Sequence, residues 1–401
     1  MTSRVIIVGG GAAGFFAAIN IAQSNPDVSV TILERGREVL TKVRVSGGGR
    51  CNVTHAEFDP NELVKSYPRG EKELRGPFYQ YCSGDTVSFF EERGIELKIE
   101  EDGRMFPISN SSQTIIDCFL SEVKRLGVKV LKNHSVKSIS KENKAYKLRT
   151  DQGDFVADKL LVATGSNPKI WNLLKGMGHS IVPPVPSLFT FNIKDGRIDG
   201  LAGVATNARV IINNNLVSHG PLLITHWGMS GPAILKLSAW GARELNSLNY
   251  DFQIRVNWLE DTRPDDVLYD LKELKKGYAK QNVAKYAQFD LPKRLWQRLL
   301  QASGIDAETR WADLTKNQLQ GLVLQLTQSR FNVNGKSTFK EEFVTAGGVC
   351  LKEIDFKTFE SKINKNLFFA GEVIDIDAIT GGYNFQNAWT GAFIAAKAIS
   401  G

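Results

Sequence analysis

A short apolar run at the start of the chain ends directly in a glycine-rich turn. The run is Val5–Val8, and Gly9, Gly11 and Gly14 follow it in a G-x-G-x-x-G pattern. The next residues, AAGFFAAINIAQS, have helical spacing, and VSVTILER is typical of a second strand. The segment therefore predicts a βαβ unit at the start of an α/β domain.

Each glycine of this turn has a distinct expected role. Gly9 allows a tight turn, Gly11 lets the backbone approach a pyrophosphate, and Gly14 lets the helix pack closely on the strand. Glu34 ends the second predicted strand, 20 residues after Gly14. This is the spacing of a carboxylate that accepts a hydrogen bond from a ribose 2′-hydroxyl. The sequence therefore predicts a ligand that contains an adenosine with a free 2′-hydroxyl.

A second glycine cluster lies in KVRVSGGGRCN, residues 42–52. Its glycines offer backbone N–H groups, and Arg44, Ser46 and Arg50 flank them, which suits a diphosphate or the edge of a flavin. The alternative is a flexible, solvated loop. Cys51 has no partner thiol nearby in the sequence, which favours a small packed residue over a redox-active one.

A third cluster lies near the C-terminus. The apolar run LFFAGE ends at Glu372, where a carboxylate is placed to accept hydrogen bonds from a ribityl chain. Asp375 and Asp377 follow, and the last predicted helix begins at TGGYN. The N-terminus of that helix would stabilise negative charge on a reduced flavin. The alternative is an acidic loop that caps a helix.

The stretch THWGMSGP, residues 225–232, supplies candidate catalytic groups. His226 is a candidate acid or base and Ser230 a candidate donor. The alternative is a turn with a histidine satisfied in the core. A serine nucleophile is not expected, because the chain has no G-x-S-x-G. We expect substrate to enter between the nucleotide-binding domain and this inserted region, with His226 near the flavin.

With 401 residues, the chain is long enough for two or three domains. Apolar and polar residues alternate after the prolines of 182–187, and charged helical patterns follow from residue 262. We predict a discontinuous nucleotide-binding domain (1–187 and 353–401), a β-rich substrate domain (188–260 and 335–352) and a helical insertion (261–334).

The composition narrows the class of protein. The formal net charge is +7, but no run of five like charges occurs, so nucleic acid is not an expected partner. The four cysteines form no CxxC and no His/Cys cluster has zinc spacing, so no metal is expected. No stretch of about 18 apolar residues predicts a membrane span, and scattered cysteines are typical of a cytoplasmic protein.

Together, GGGAAG, SGGGRCNVTH, ATG, THWGMSGPAIL, VTAGGV and AGEVIDIDAITGGYNFQNAW resemble the YhiN/BaiN-like family of FAD-dependent, aminoacetone-oxidase-like flavoproteins. The resemblance runs from residue 5 to about residue 396. It implies a two-dinucleotide-binding-domain flavoprotein fold, in which a β-barrel-like domain and a helical insertion interrupt the Rossmann-like FAD domain. The predicted cofactor-binding residues are Gly9, Gly11, Ala12, Ala13, Gly14, Glu34, Arg35, Lys42, Ser46, Gly47, Gly48, Arg50, Cys51, Asn52, Val136, Ala163, Thr164, Gly165, Gly371, Glu372, Asp377, Gly382, Tyr383 and Asn384.

The stretch after ATG departs from the family. Relatives commonly have a Gly/Ser-rich segment there, whereas this chain reads SNPKIW, residues 166–171. Because of this difference, the substrate of a relative is not carried over to this chain. The cofactor prediction is unaffected, since it rests on the other motifs.

The leading functional prediction is an FAD-dependent oxidoreductase that transfers hydride between flavin N5 and a small organic substrate. A second G-x-G-x-x-G is absent, so NAD(P)H would be a transient donor. The resemblance implies, among family members, a reductase of steroid double bonds and oxidases of small amines. The alternatives are an amine oxidase that makes peroxide, an RNA-modifying flavoprotein and a non-catalytic FAD-binding protein.

Overall fold

The computed structural model describes residues 3–142, 144–213, 215–338 and 344–401. The chain forms two compact units. The first contains Met1–Val185 and Val344–Gly401, and the second contains Pro186–Phe343. The first unit is thus built from both ends of the chain.

The N-terminal part of the first unit alternates strands and helices. In chain order its elements are β1 (Arg4–Val8), α1 (Ala12–Ser24), β2 (Ser29–Leu33), α2 (Thr41–Gly49), β3 (Thr54–His55), α3 (Pro60–Leu63), α4 (Glu71–Phe78), α5 (Ser83–Glu91), β4 (Leu97–Ile99), β5 (Arg104–Pro107), α6 (Ser112–Arg125), β6 (Lys129–Leu131), β7 (Val136–Glu142), β8 (Ala145–Thr150), β9 (Asp154–Ala157), β10 (Lys159–Val162), α7 (Pro168–Gly176) and β11 (Ile181–Ser187).

The second unit combines an antiparallel sheet with helices. Its elements are β12 (Thr190–Asn192), β13 (Ala205–Ile212), β14 (Leu216–Ile224), β15 (Gly228–Ser230), α8 (Pro232–Trp240), α9 (Ala242–Ser247), β16 (Asp251–Asn257), α10 (Pro264–Gly277), α11 (Lys293–Ala302), α12 (Lys316–Thr327), β17 (Ser329–Asn334) and β18 (Lys336–Ser337). The strands are ordered β17-β16-β13-β14-β15-β12-β18. One apolar core joins this sheet to helices α10, α11 and α12.

The chain then returns to the first unit through β19 (Val344–Val349), β20 (Ile354–Asp355), β21 (Glu360–Ser361), β22 (Leu367–Phe369) and α13 (Tyr383–Ser400). Strands β22, β10, β1, β2 and β6 are parallel neighbours in one sheet, which β21 and β20 extend in antiparallel fashion. Because parallel strands end at the same edge, the residues after β1, β10 and β22 lie side by side, and this edge is where open α/β sheets bind ligands.

The central strands and helices of the first unit are buried because their sequences are mostly apolar. Strand β10 and most of β1 are buried, as expected for parallel strands covered on both faces. Helix α1 buries nine of its 13 residues, including Phe15 and Phe16. Helix α13 packs into the same core, where Trp389 Nε1 donates to the Val53 carbonyl over 2.9 Å.

The observed division differs from the predicted three domains. Strand β19 pairs with β11 in the first unit, so residues 344–352 belong there and not with the β-rich domain. The region 261–334 shares the core of the second unit, because β17 pairs with β16 and helices α10–α12 pack against the same apolar cluster. Residues 339–343 of the predicted 335–352 segment lie outside the described residues.

The predicted β-rich segment 188–260 also contains α8 and α9. Helix α8 is apolar on several faces and starts with Pro232 at its first turn, a usual helix-start position. In the part of the chain that the structure describes, no helix is both long enough and apolar enough to cross a membrane.

Candidate functional site

The first glycine turn is packed too tightly for side chains at two positions. Gly9 has φ +116°, and a Cβ there would lie 2.3 Å from the Ala163 carbonyl oxygen. A Cβ at Gly14 would lie 2.0 Å from the Gly9 carbonyl oxygen. The turn therefore brings β1, α1 and the end of β10 into backbone contact.

Gly11, between them, faces open space. No atom lies within 4 Å of a Cβ built on it, and its φ of −94° is accessible to any residue. Gly11 is also the N-cap of α1, and no side chain caps the helix. Thr164, whose Cα would lie 3.0 Å from a Cβ on Gly9, has a buried hydroxyl Oγ1 without a hydrogen-bond partner among the described residues. The turn thus leaves room and unused donors beside Ala12 and Ala13, where a helix N-terminus favours an anion.

Glu34 directly follows β2 and holds the neighbouring turns. Its Oε2 accepts from the Gly10 N–H over 2.8 Å and its Oε1 from the Gly36 N–H over 2.7 Å. Each carboxylate oxygen keeps a further lone pair for a ribose hydroxyl.

Two further predicted cofactor-binding residues near Glu34, Arg35 and Val136, differ in burial. The neighbouring Arg35 is exposed. Val136, the first residue of β7, is buried two residues after His134, whose N–H donates to the Glu34 carbonyl over 2.8 Å.

The second glycine cluster interrupts helix α2. The backbone leaves helical geometry at Ser46, and Gly47, Gly48 and Gly49 have φ values of +58°, +68° and +85°. Gly47 abuts the Phe106 ring, whereas a Cβ on Gly48 or Gly49 would meet nothing within 4 Å. Two consecutive glycines therefore present open backbone.

The side chains that flank this cluster are engaged within the protein. The Arg50 guanidinium lies 3.9 Å from the centre of the Phe106 ring and pairs with Glu100 over 2.5 Å. Arg44 donates to Gln113 over 2.9 Å, and Ser46 Oγ donates to the Val43 carbonyl over 2.9 Å. The predicted role of Arg50 as positive charge for a diphosphate is therefore weakened, since Glu100 already neutralises it.

Cys51 is fully buried, with φ +60°. Burial raises the pKa of its thiol to about 12, against a smaller lowering by Ser46. The thiol is therefore protonated near neutral pH, and Cys51 is a packing residue and not a reactive thiolate.

The C-terminal cluster meets the first two at the carboxyl edge of the parallel sheet. Lys42 Nζ forms an ion pair with Glu372 Oε2. A Cβ on Gly165 would lie 3.5 Å from the same carboxylate, and one on Gly371 would lie 3.3 Å from Ala13 Cβ. Residues distant in sequence thus form one crevice around the start of α1.

Asp377 and Asn384 serve the protein scaffold. Both Asp377 carboxylate oxygens accept from the Arg69 guanidinium, and the Asp377 side chain is fully buried. Asn384 exchanges two hydrogen bonds with the backbone of Ala378, at 3.0 and 3.2 Å. These contacts fix the loop before α13, so a direct cofactor role for either side chain has no support in the structure.

Helix α13 begins at the crevice without a side-chain cap. Its N-cap, Gly382, has φ +96°, and a Cβ there would lie 2.5 Å from the Thr54 carbonyl. With its amide oriented to satisfy its neighbours, Asn52 accepts from the Gly382 N–H over 2.9 Å. The His55 ring stacks on Tyr383 at 4.5 Å, and its Nδ1 lies 3.0 Å from the Gly381 carbonyl oxygen.

Three supporting residues were missed by the sequence reasoning: His55, Arg69 and Gln386. Gln386 lies in the core, where its Oε1 accepts from the hydroxyls of Thr54 and Thr86 over 2.6 and 2.9 Å. His55 stands in the SGGGRCNVTH segment, so its position next to Asn52 was an available signal. Arg69 and Gln386 carried no local signal.

The candidate catalytic residues lie in the second unit. His226 is exposed, in the turn between β14 and β15, so the interpretation as a core histidine is wrong. The neighbouring Trp227 is 58% exposed. Ser230 Oγ accepts from the Thr190 hydroxyl over 3.0 Å.

The first unit has the features that FAD requires. Gly11 and Gly48–Gly49 leave space at backbone, the Thr164 hydroxyl is unpaired among the described residues, and Glu34 offers acceptor oxygens. Helices α1 and α13 both begin without a side-chain cap, α1 at Gly11 and α13 at Gly382, which lies beside Asn52 of the second glycine cluster. These groups suit a pyrophosphate, a ribose and an anionic ring edge.

Comparison with known proteins extends this result to the whole chain. Residues 3–398 match the HI0933-like protein Rossmann domain family. The chain is 29% identical to the 3-dehydro-bile acid delta(4,6)-reductase of Clostridium scindens, covering 99% of this chain and 98% of the relative. It is also 29% identical to the ribosomal RNA dihydrouridine synthases of Haemophilus influenzae and Escherichia coli, covering 98% and 96% of those proteins.

Solved structures show the same fold at low identity. One is 3-ketosteroid delta1-dehydrogenase from Sterolibacterium denitrificans, with a TM-score of 0.52, 10% identity and full coverage of both chains. Another is a flavocytochrome c3 fumarate reductase, with a TM-score of 0.50, 16% identity and coverage of 99% of this chain and 78% of the other. The predicted fold class and family resemblance are confirmed. The chain belongs to the HI0933-like Rossmann-domain family and is an FAD-dependent oxidoreductase, as its resemblance to YhiN/BaiN-like proteins implied.

Proposed function

We propose that this protein reduces a carbon–carbon double bond conjugated to a carbonyl group. Two kinds of relative with equal identity support this class of reaction, a bile-acid delta(4,6)-reductase and ribosomal RNA dihydrouridine synthases. Their substrates differ, but a steroid enone and a uracil ring share a double bond polarised by a carbonyl. The shared chemistry is hydride addition to the carbon remote from that carbonyl, followed by protonation.

The observation that carries the proposal is the uncapped N-terminus of α13 at the glycine-lined crevice. A helix N-terminus stabilises negative charge, which favours a reduced, anionic flavin. Bound FAD supplies the hydride. The chain's own groups would hold it, with the Gly11 turn at the pyrophosphate, Glu34 at the ribose and the α13 N-terminus at the ring.

Hydride addition leaves an enolate that needs a proton. We propose His226 as the proton donor, because its exposed imidazole is free of a core packing role. Trp227 beside it offers an exposed flat ring against which a planar substrate can stack. Ser230 is the second candidate donor, although its hydroxyl oxygen already accepts from Thr190.

NAD(P)H is the proposed electron source, bound transiently. The one G-x-G-x-x-G of the sequence is assigned to FAD. No second motif of this kind is left to bind the nicotinamide donor, so its binding would be transient.

Anaerobic half-reactions test the proposal. The FAD-loaded protein is reduced with NADH, NADPH or dithionite and then mixed separately with a small cyclic enone, uridine and a uridine-containing RNA. Reappearance of the oxidised flavin spectrum with a product two mass units heavier supports a double-bond reductase. If no conjugated double bond reoxidises the flavin, while a small amine reduces it and peroxide forms in air, the protein is an amine oxidase and the proposal fails.

A further inference from the structure

The peptide group between Gly381 and Gly382, just before α13, is held at both of its polar ends. Its carbonyl oxygen lies 3.0 Å from His55 Nδ1, and its N–H donates to the side-chain oxygen of Asn52 over 2.9 Å. Because a carbonyl oxygen can only accept, His55 Nδ1 carries the proton and donates it. Two side chains from one short segment therefore fix the orientation of this peptide group.

The backbone at this position does not fix that orientation by itself. Gly381 and Gly382 have φ values of +128° and +96°, and glycine adopts negative φ about as readily as positive φ. A peptide group between two glycines can therefore turn over at low steric cost. Turning would exchange the positions of the carbonyl oxygen and the N–H, and the hydrogen bonds to His55 and Asn52 oppose it.

The His55 ring is itself held by its surroundings. It stacks on Tyr383 with the ring centres 4.5 Å apart. A Cβ on Gly103 would lie 2.5 Å from His55 Nε2, and a Cβ on Gly381 would lie 3.3 Å from His55 Nδ1. The ring therefore cannot turn Nδ1 away from the Gly381 carbonyl without displacing these neighbours.

The orientation of this peptide group matters because α13 begins with free donors. The N–H groups of Tyr383, Asn384 and Phe385 have no hydrogen-bond acceptor among the described residues. The helix N-terminus therefore keeps its partial positive charge. A Gly381 carbonyl oxygen turned toward these donors would offset that charge, and the hydrogen bond from His55 holds the oxygen in another direction.

We propose that His55 is a positioning residue for the flavin. Its hydrogen bond to Gly381 keeps the first turn of α13 electropositive and so raises the reduction potential of bound FAD. Reduction adds negative charge to the ring, and a helix N-terminus stabilises that charge more than it stabilises the neutral, oxidised ring. The inference rests on the position of the α13 N-terminus at the ring, which the proposed function uses.

Two substitutions at position 55 separate the hydrogen bond from the packing of the ring. His55→Phe keeps a flat ring against Tyr383 but has no donor, whereas His55→Asn loses the ring and keeps an N–H group about where Nδ1 lies. His219→Phe, the same substitution at an exposed histidine of the second unit, is the control. The midpoint potential of the bound flavin is measured anaerobically by equilibration with a redox dye, together with the affinity for oxidised FAD.

We expect His55→Phe to make reduction of the bound flavin about five- to twentyfold less favourable. For a two-electron couple this is a fall of about 20–40 mV. His55→Asn and His219→Phe should keep the wild-type potential. All three variants should bind oxidised FAD about as tightly as the wild type, because the oxidised ring carries no charge for the helix to stabilise.

Three outcomes would overturn the inference. They are an unchanged potential in His55→Phe, an equal fall in His55→Asn, which would assign the effect to ring packing, and a loss of oxidised FAD from His55→Phe, which would make His55 a binding residue. The potential is measured without an organic substrate. Failure of this inference is therefore distinguishable from failure of the proposed double-bond reduction, which has its own half-reactions.

Discussion

The carboxylate of Asp377 is completely buried and paired through both oxygens with the guanidinium of Arg69, 308 residues earlier in the chain. The pair joins the segment before α4 to the loop before α13, and the two residues also form a backbone bridge. The Arg69–Asp377 pair therefore helps to position the N-terminus of α13.

Removal of one partner leaves a buried charge without its counter-charge. Arg69→Met should therefore destabilise the protein by about 3–5 kcal/mol and lower its FAD content. Thermal and urea unfolding measure the change. Arg75→Met is the control, because Arg75 is exposed on α4 and should change stability little. Equal stability of the two variants would show that the pair does not anchor the loop.

Gly11 should be needed for FAD binding but hardly for folding. Its backbone suits any residue and a Cβ there meets nothing, so Gly11→Val should still fold, with a loss of only about 1 kcal/mol because valine is a poor N-cap. The valine side chain would occupy the space proposed for the pyrophosphate, so FAD binding should be lost. Gly76→Ala, also at an open position, should keep both properties. Normal FAD binding by Gly11→Val would place the pyrophosphate elsewhere.

His226 should matter for turnover and not for stability, because its side chain is exposed. His226→Ala should keep its melting temperature and FAD content. It should slow reoxidation of the reduced flavin by an enone or uridine about 10²–10⁴-fold if the imidazole is the proton donor. Single-turnover absorbance measures this rate, and an unchanged rate would end the catalytic assignment.

Stability should depend on pH through His179. Burial lowers the pKa of this histidine, although its hydrogen bond to Glu353 opposes the shift. Its Nδ1 lies 3.0 Å from Glu353 Oε2 and its Nε2 3.0 Å from Ser361 Oγ. A neutral ring satisfies both contacts, donating to the carboxylate and accepting from the hydroxyl.

The unfolded ring binds a proton near its usual pKa of about 6.5, whereas the folded ring binds it only at lower pH. The stabilising effect is therefore complete above about pH 6.5 and is lost as pH falls toward the folded pKa. Urea unfolding on both sides of this value should show a smaller loss in His179→Gln than in the wild type. His219→Gln, which replaces an exposed histidine of β14, is the control, and equal losses in all three proteins would contradict the assignment.

Local sequence was sufficient for the first βαβ unit. The glycine spacing and apolar periodicity predict α1 over the residues that form it. Glu34 was predicted to end the second strand and directly follows β2 instead, and its bonds to the N–H groups of Gly10 and Gly36 depend on the folded turn.

Contacts between residues far apart in the chain could not be predicted from a single sequence. The pairs Lys42–Glu372 and Arg69–Asp377 join residues more than 300 positions apart. Asp377 was therefore predicted to bind the cofactor, whereas its carboxylate accepts hydrogen bonds from Arg69. Helix α8 was missed because its apolar residues follow alternating strands, and the start signal of Pro232 was overlooked.

The most direct test of the account is equilibrium titration of the apoprotein with FAD and with FMN, in the wild type and in Glu34→Arg. Glu34 is expected to bind the ribose of the adenosine half, which FMN lacks, through hydrogen bonds to a charged acceptor worth about 1.5–3 kcal/mol. The account predicts strong preference for FAD in the wild type and a roughly ten- to hundredfold loss of FAD affinity in the variant. Equal affinity for FMN, or unchanged FAD affinity in Glu34→Arg, would contradict it.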